Sequence, residues 1–123
     1  MLSVSKDPKG FGLIVIDGRI NAEEMRVGLD AFMAMLPEEG RMAFLYDIRA
    51  FAFPEMEAVT EKMRDLPHLF TAIGRMSKVA MVADPGWLRA VAEFEGMLIP
   101  GLTIRSFEPS QREEAEAWLL SDD

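Results

Sequence analysis

Three aspartates are the side chains of this sequence best placed to do chemistry. Asp17, Asp47 and Asp84 each end an apolar run: Gly12–Asp17 (GLIVID), Arg41–Asp47 (RMAFLYD) and Lys78–Asp84 (KVAMVAD). If those runs are parallel strands, their carboxyl ends share one rim of a sheet, where open α/β sheets form ligand crevices. Carboxylates gathered there could hold Mg²⁺ or accept a phosphoryl group. The same residues have plainer uses. Asp84 fits a helix N-cap, Asp17-Gly18 fits a turn, and Asp47 fits a partner of Arg49 or a loop cap. The lysine that a phosphoacceptor site needs after its last strand is missing; Thr103, Arg105 and Phe107 occupy that stretch.

Other catalytic chemistry has little to work with. His68 is the single histidine, beside Pro67, and a metal site needs several ligands. There is no cysteine, so thiolate nucleophiles, disulfides and Cys-ligated metals are excluded. Gly10-Phe-Gly and Gly96…Gly101 match no phosphate-loop spacing. No catalytic residue, metal or cofactor is assigned, and the expectation is a protein that is not an enzyme.

Apolar recognition is better supplied. Phe51, Phe53 and Met56 bracket the start of a helix, and Trp87 opens another. Flexible methionines suit adaptable apolar surfaces, and the chain has 10 of them. Phe51 and Phe53 stand at alternating positions in an expected loop. Together with Met56 and Trp87 they would wall a crevice between the Pro54 helix and the Asp84-capped helix. Tyr46 and Asp47 would be its polar groups. The ligand would be a small hydrophobic molecule, a fatty acid among the candidates. The same aromatic residues also suit core packing, a surface for a protein partner, or a homodimer interface.

The elements that must position these residues read clearly. A short strand around Val4 pairs antiparallel with Gly12–Asp17 through an Asp7–Gly10 turn. Asn21 and Glu24 make a capping box for a helix whose stripe is Met25, Leu29, Phe32, Met33 and Leu36. Pro37 and Gly40 end it. A helix with Met56, Val59 and Met63 on one side follows the second buried strand. It breaks at Pro67, and a short piece carrying Leu69, Phe70 and Ile73 closes at Gly74. After the third buried strand, Asp84 and Pro85 start a helix on which Trp87, Val91, Phe94 and Leu98 share a face. Pro100-Gly101 stops it, Leu102–Phe107 is the last strand, and Ser110 with Glu113 boxes a final helix docked through Ala115, Trp118 and Leu119. The order ββαβαβαβα predicts one α/β domain over residues 1–123: a mostly parallel five-stranded sheet with helices on both faces.

Charge and length narrow the partners. The 123 residues carry a net charge of −8, which disfavours nucleic acid and anionic membrane surfaces. No apolar run approaches the ~20 residues of a membrane span. The opening MLSVSKDPKG lacks a signal-peptide core, so a cytoplasmic location is expected.

The phrase KVAMVADPGW, with its strand–Asp–x–x–Trp step, and the closing FEPSQREEAEAWLL resemble the SpoIIAA-like family of small bacterial proteins. That resemblance spans nearly the whole chain. It implies a STAS-related architecture similar to the CRAL-TRIO fold, and a family whose function is largely uncharacterised. STAS regulators carry a phosphorylatable serine in an Asp-Ser step after a central strand. The matching step here is Tyr46-Asp47-Ile48-Arg49, where Ile48 replaces the serine, so the kinase-controlled switch cannot operate in its usual form. The expected function is an uncharacterised, non-catalytic STAS-like module binding a small hydrophobic ligand or a protein partner. The alternative is a Mg²⁺- or phosphate-dependent enzyme or phosphoacceptor using the strand-end aspartates.

Overall fold

The computed structural model describes residues 1–52, 56, 57, 60 and 71–121. Phe53, Pro54, Val59, Met63, Pro67, His68, Leu69 and Phe70 lie outside the described residues, and so do the expectations that rest on them.

Five strands form one sheet: β1 (Leu2–Lys6), β2 (Gly12–Gly18), β3 (Met42–Phe51), β4 (Met76–Ala83) and β5 (Thr103–Phe107). Their spatial order is their chain order. β1 pairs antiparallel with β2, as the Asp7–Gly10 turn predicts, and β2 to β5 run parallel. The helices are α1 (Ala22–Met35), α2 (Gly86–Leu98) and α3 (Arg112–Leu120), with further helical residues at 56, 57, 60 and 71–73.

This order decides which face each helix covers. Right-handed crossovers between neighbours taken in chain order pass over one side of the sheet, as α1 and α2 do. One core therefore joins Ile14, Phe44 and Val79 of the strands to Phe32 of α1 and to Ala72, with Ile99 packed beside them. The opposite face is left to α3. There Phe11, Leu45, Ala80, Val82 and Phe107 pack against Ala115 and Leu119, with Trp118 at the margin. Helices do lie on both faces, but very unequally.

Local signals explain most helix ends, with two corrections. Asn21 Oδ1 accepts from the Glu24 amide at 2.8 Å and Glu24 reaches back to the Asn21 amide, completing the expected box. Asp84, in contrast, does not cap α2. Pro85 is the N-cap residue, it makes no side-chain bond to the free amides there, and Asp84 is exposed. Nor does Ser110 cap α3. Glu108 and Gln111 make the box instead, around a 3₁₀ turn at Pro109–Gln111 that leads into α3. Pro109, the first residue of that turn, suits its tight start, and the helix begins after it.

The middle strand is longer than expected. β3 runs to Phe51, and its pairing with β2 slips so that Asp17 faces Ala50 and Arg49 is the extra residue. Such a bulge twists a strand and re-aims the side chains beyond it. Phe51 therefore ends a strand and does not stand in a loop.

Candidate functional site

Alternation along β3 separates the two polar residues expected to share one crevice. Successive strand residues point to opposite faces. Tyr46 joins the α1 side with Phe44, whereas Asp47 joins the α3 side with Leu45. Among the described residues, Tyr46 and Asp47 therefore do not face one common apolar pocket. The rim itself also differs from the expected crevice. In a doubly wound sheet the crevice opens where strand order reverses and adjacent crossovers pass to opposite faces. Here the order never reverses, so the carboxyl ends of the strands have no switch point.

On the α3 face, Asp47 is buried and engaged. Its Oδ2 accepts from Arg112 Nη1 at 2.9 Å and from Arg49 Nε at 3.3 Å. Arg112 Nε donates to Glu116 at 3.1 Å, and Glu116 accepts from Lys9 Nζ at 2.8 Å. Five groups of alternating charge thus run from the β1–β2 turn across α3 to the end of β3. The hydrogen bond from Lys9 is the main cause that holds the Glu116 carboxyl below its ordinary value, with Arg112 adding to it. Lys9 moves up for the matching reason. Asp17 and Asp84 are both exposed. Among the described residues no group of three or more carboxylates and histidines is placed to hold a metal ion. The geometry of Asp47 is that of an anchor for α3.

The other end of α3 is held by a cation. Lys78 Nζ donates to the carbonyls of Trp118 at 3.0 Å and Ser121 at 2.8 Å, and to Ser121 Oγ. It also lies over the Trp118 ring, which Arg105 contacts too. A positive charge on the last carbonyls of a helix satisfies free acceptors and opposes the dipole. Lys9, Arg112, Glu116 and Lys78 carry no conspicuous motif. The four-residue spacing of Arg112 and Glu116 is the one local signal for this network.

The aromatic residues assemble differently from the acids. Phe51 and Trp87 meet edge to face, with ring centroids 5.3 Å apart. Their meeting brings the end of β3 to the first turn of α2. Met56 is largely exposed. From Trp87 an apolar stripe continues along α2 through Val91, Phe94 and Leu98, with Met97 beside it. It points away from the sheet: Trp87 is 54% exposed, Phe94 61% and Met97 83%. The side of α2 nearer the sheet carries Leu88, Ala92 and Gly96. A Cβ on Gly96 would lie 2.7 Å from Ile104 Cβ, so α2 sits too close to β5 for a larger residue. The small residues bring the helix down, and the large ones are left outside. Val91, Phe94, Met97 and Leu98 were not assigned to a site by sequence. The period of an apolar stripe gives its direction around a helix but not which side is inward.

A five-stranded sheet with one antiparallel edge, flanked by helices and lacking a gathered catalytic constellation among its described residues, defines a small mixed α/β domain. The SpoIIAA-like family model matches residues 13–120, so the chain belongs to the SpoIIAA-like family. In structure it is similar to an uncharacterised protein of the DUF3478 family with a SpoIIAA-like fold, from Shewanella loihica PV-4. The TM-score is 0.65, with 12% sequence identity, over 97% of this chain and 92% of that one. At that identity the likeness speaks for the fold alone. No curated protein matches the chain. Among the described residues no helix is long and apolar enough to cross a membrane.

Proposed function

We propose that this chain is a non-catalytic cytoplasmic docking module whose working surface is the outer face of α2, and that a second copy of the chain is its occupant. The exposed stripe from Phe51 and Trp87 to Leu98 carries the reading. Trp87 to Leu98 extends about 16 Å along the helix. With Phe51 and Met97, these side chains expose roughly 600 Å² of apolar surface, at the upper limit for a monomer. A standard interface buries about 800 Å² per partner, so two such faces supply most of one. A helix face is readily self-complementary about a two-fold axis, the commonest symmetry of closed assemblies. The engagement of Asp47 by Arg112 and Arg49 supports a structural over a catalytic use of the strand-end acids.

Sedimentation equilibrium of the parent and of Phe94→Glu tests this. The parent should sediment as a dimer at micromolar concentration. Phe94→Glu should sediment as a monomer with an unchanged circular dichroism spectrum and melting temperature. A monomeric parent at high micromolar concentration, or an undisturbed Phe94→Glu dimer, would sink the proposal.

A further inference from the structure

Beside α1 there is a cleft of about 210 Å³, partly open to solvent, away from the outer face of α2 and from the α3 network. It forms because α1 is drawn toward the edge of the sheet. Gly28 faces Leu2 of β1 so closely that an added Cβ would overlap the leucine side chain. With the helix seated there, a gap remains over β2 and β3. Its walls include Val4, Ile14, Ile20, Leu29 and Phe32, and the Tyr46 ring closes one side.

Tyr46 brings the one hydroxyl among these described lining residues. Among the described residues, no hydrogen bond engages that hydroxyl. None of these described lining residues carries a charged side chain. Burial pushes the phenol pKa up to about 12, so it stays protonated and able to donate near neutral pH. An apolar cavity of roughly 150 Å³ accommodates a benzene molecule. The space here suits a single ring with a short substituent and is too small to enclose a long acyl chain. A carboxylate seated against these apolar walls would give up part of its hydration without meeting a cation among the described lining residues.

We propose that this cleft binds a small, uncharged, largely apolar molecule about the size of one substituted ring, oriented by an oxygen that accepts a hydrogen bond from Tyr46. The proposal predicts different responses to near-isosteric probes. Ethylbenzene and acetophenone have similar shapes, but only acetophenone offers an acceptor. Benzoate adds a charge at the same position. Methyl-resolved NMR titrations of the parent should show saturable shifts at Val4, Ile14, Ile20 and Leu29 with both neutral probes and none with benzoate. Tyr46→Phe should weaken acetophenone about fivefold, the effect of one ordinary hydrogen bond, and leave ethylbenzene within about twofold. Val4→Phe, which fills the space, should remove binding of both. The proposal is overturned if neither neutral probe saturates those methyls in the parent. It is equally overturned if benzoate binds as well as acetophenone, or if Tyr46→Phe weakens the two neutral probes alike.

Discussion

Replacing Arg112 by methionine should cost about 2 kcal/mol, more than replacing its partner Asp47 by asparagine. The asymmetry comes from exposure. The Asp47 side chain is 12% exposed and that of Arg112 is 32% exposed. Without Arg112, a buried carboxylate keeps only Arg49 at 3.3 Å, an arginine that is itself mostly in solvent. Without the Asp47 charge, Arg112 still has Glu116 at 3.1 Å and access to water. Stripping a fully buried ion pair of one partner costs about 3–5 kcal/mol, whereas a net hydrogen bond to a charged group contributes about 1.5–3. Partial exposure of Arg112 and the fallback to Arg49 bring the estimate for Arg112→Met to about 2 kcal/mol, and that for Asp47→Asn to about 1. Methionine retains helix propensity and much of the apolar stem, so the comparison isolates the guanidinium. Urea unfolding should show the midpoint falling by about 1 M for Arg112→Met at an unchanged slope. The double variant should lose less than the sum of the two single losses. If Arg112→Met stays within about 0.5 kcal/mol of the parent, or Asp47→Asn costs more, the anchoring role is wrong.

Two further outcomes concern the same helix. Trp118→Ala should lose about 3 kcal/mol, the lower end for a large aromatic, because the ring packs on Phe107 but is only partly covered. Thermal melting would show this as a drop of about 12 °C, and a change of only one or two degrees would mean that α3 is held elsewhere. The Glu116 pKa is lowered from 4.5 in the folded chain, so unfolding favours proton uptake by this group. Its contribution is fully present above about pH 5 and fades as pH falls through the folded value. The melting-temperature gap between the parent and Glu116→Gln should therefore narrow from pH 6 toward pH 3; a constant gap would remove Glu116 from the account.

Much of the fold was legible because it rests on local patterns. The Asn21–Glu24 box, the branched runs GLIVID and KVAMVAD, and the turn at Asp7–Gly10 each act within a few residues. The opposed directions of Tyr46 and Asp47 follow from the two-residue period of a strand, and were open to reading once β3 was placed. Strand order was different. Nothing within any one segment says that β3 lies between β2 and β4, and that order leaves the rim without a switch point. The inverted α2 also needed tertiary information, since Gly96 marks the inner side only once Ile104 is known to lie against it. The Lys9–Glu116 contact joins residues 107 positions apart, and no spacing rule reaches that far.

The match between chain order and spatial order has a consequence for how the protein is made. Each new strand leaving the ribosome finds its neighbour already at the growing edge, so the sheet can be extended in the order of synthesis without waiting for a distant segment. Cover on one side keeps pace, because the crossovers arrive with the strands they join. The other side does not share this timing. Phe11, Leu45, Ala80 and Val82 can stand together as an apolar surface while Arg112–Leu120 is still inside the exit tunnel. For that interval the nascent chain shows a bare sheet face of the kind chaperones engage, and release of α3 ends it.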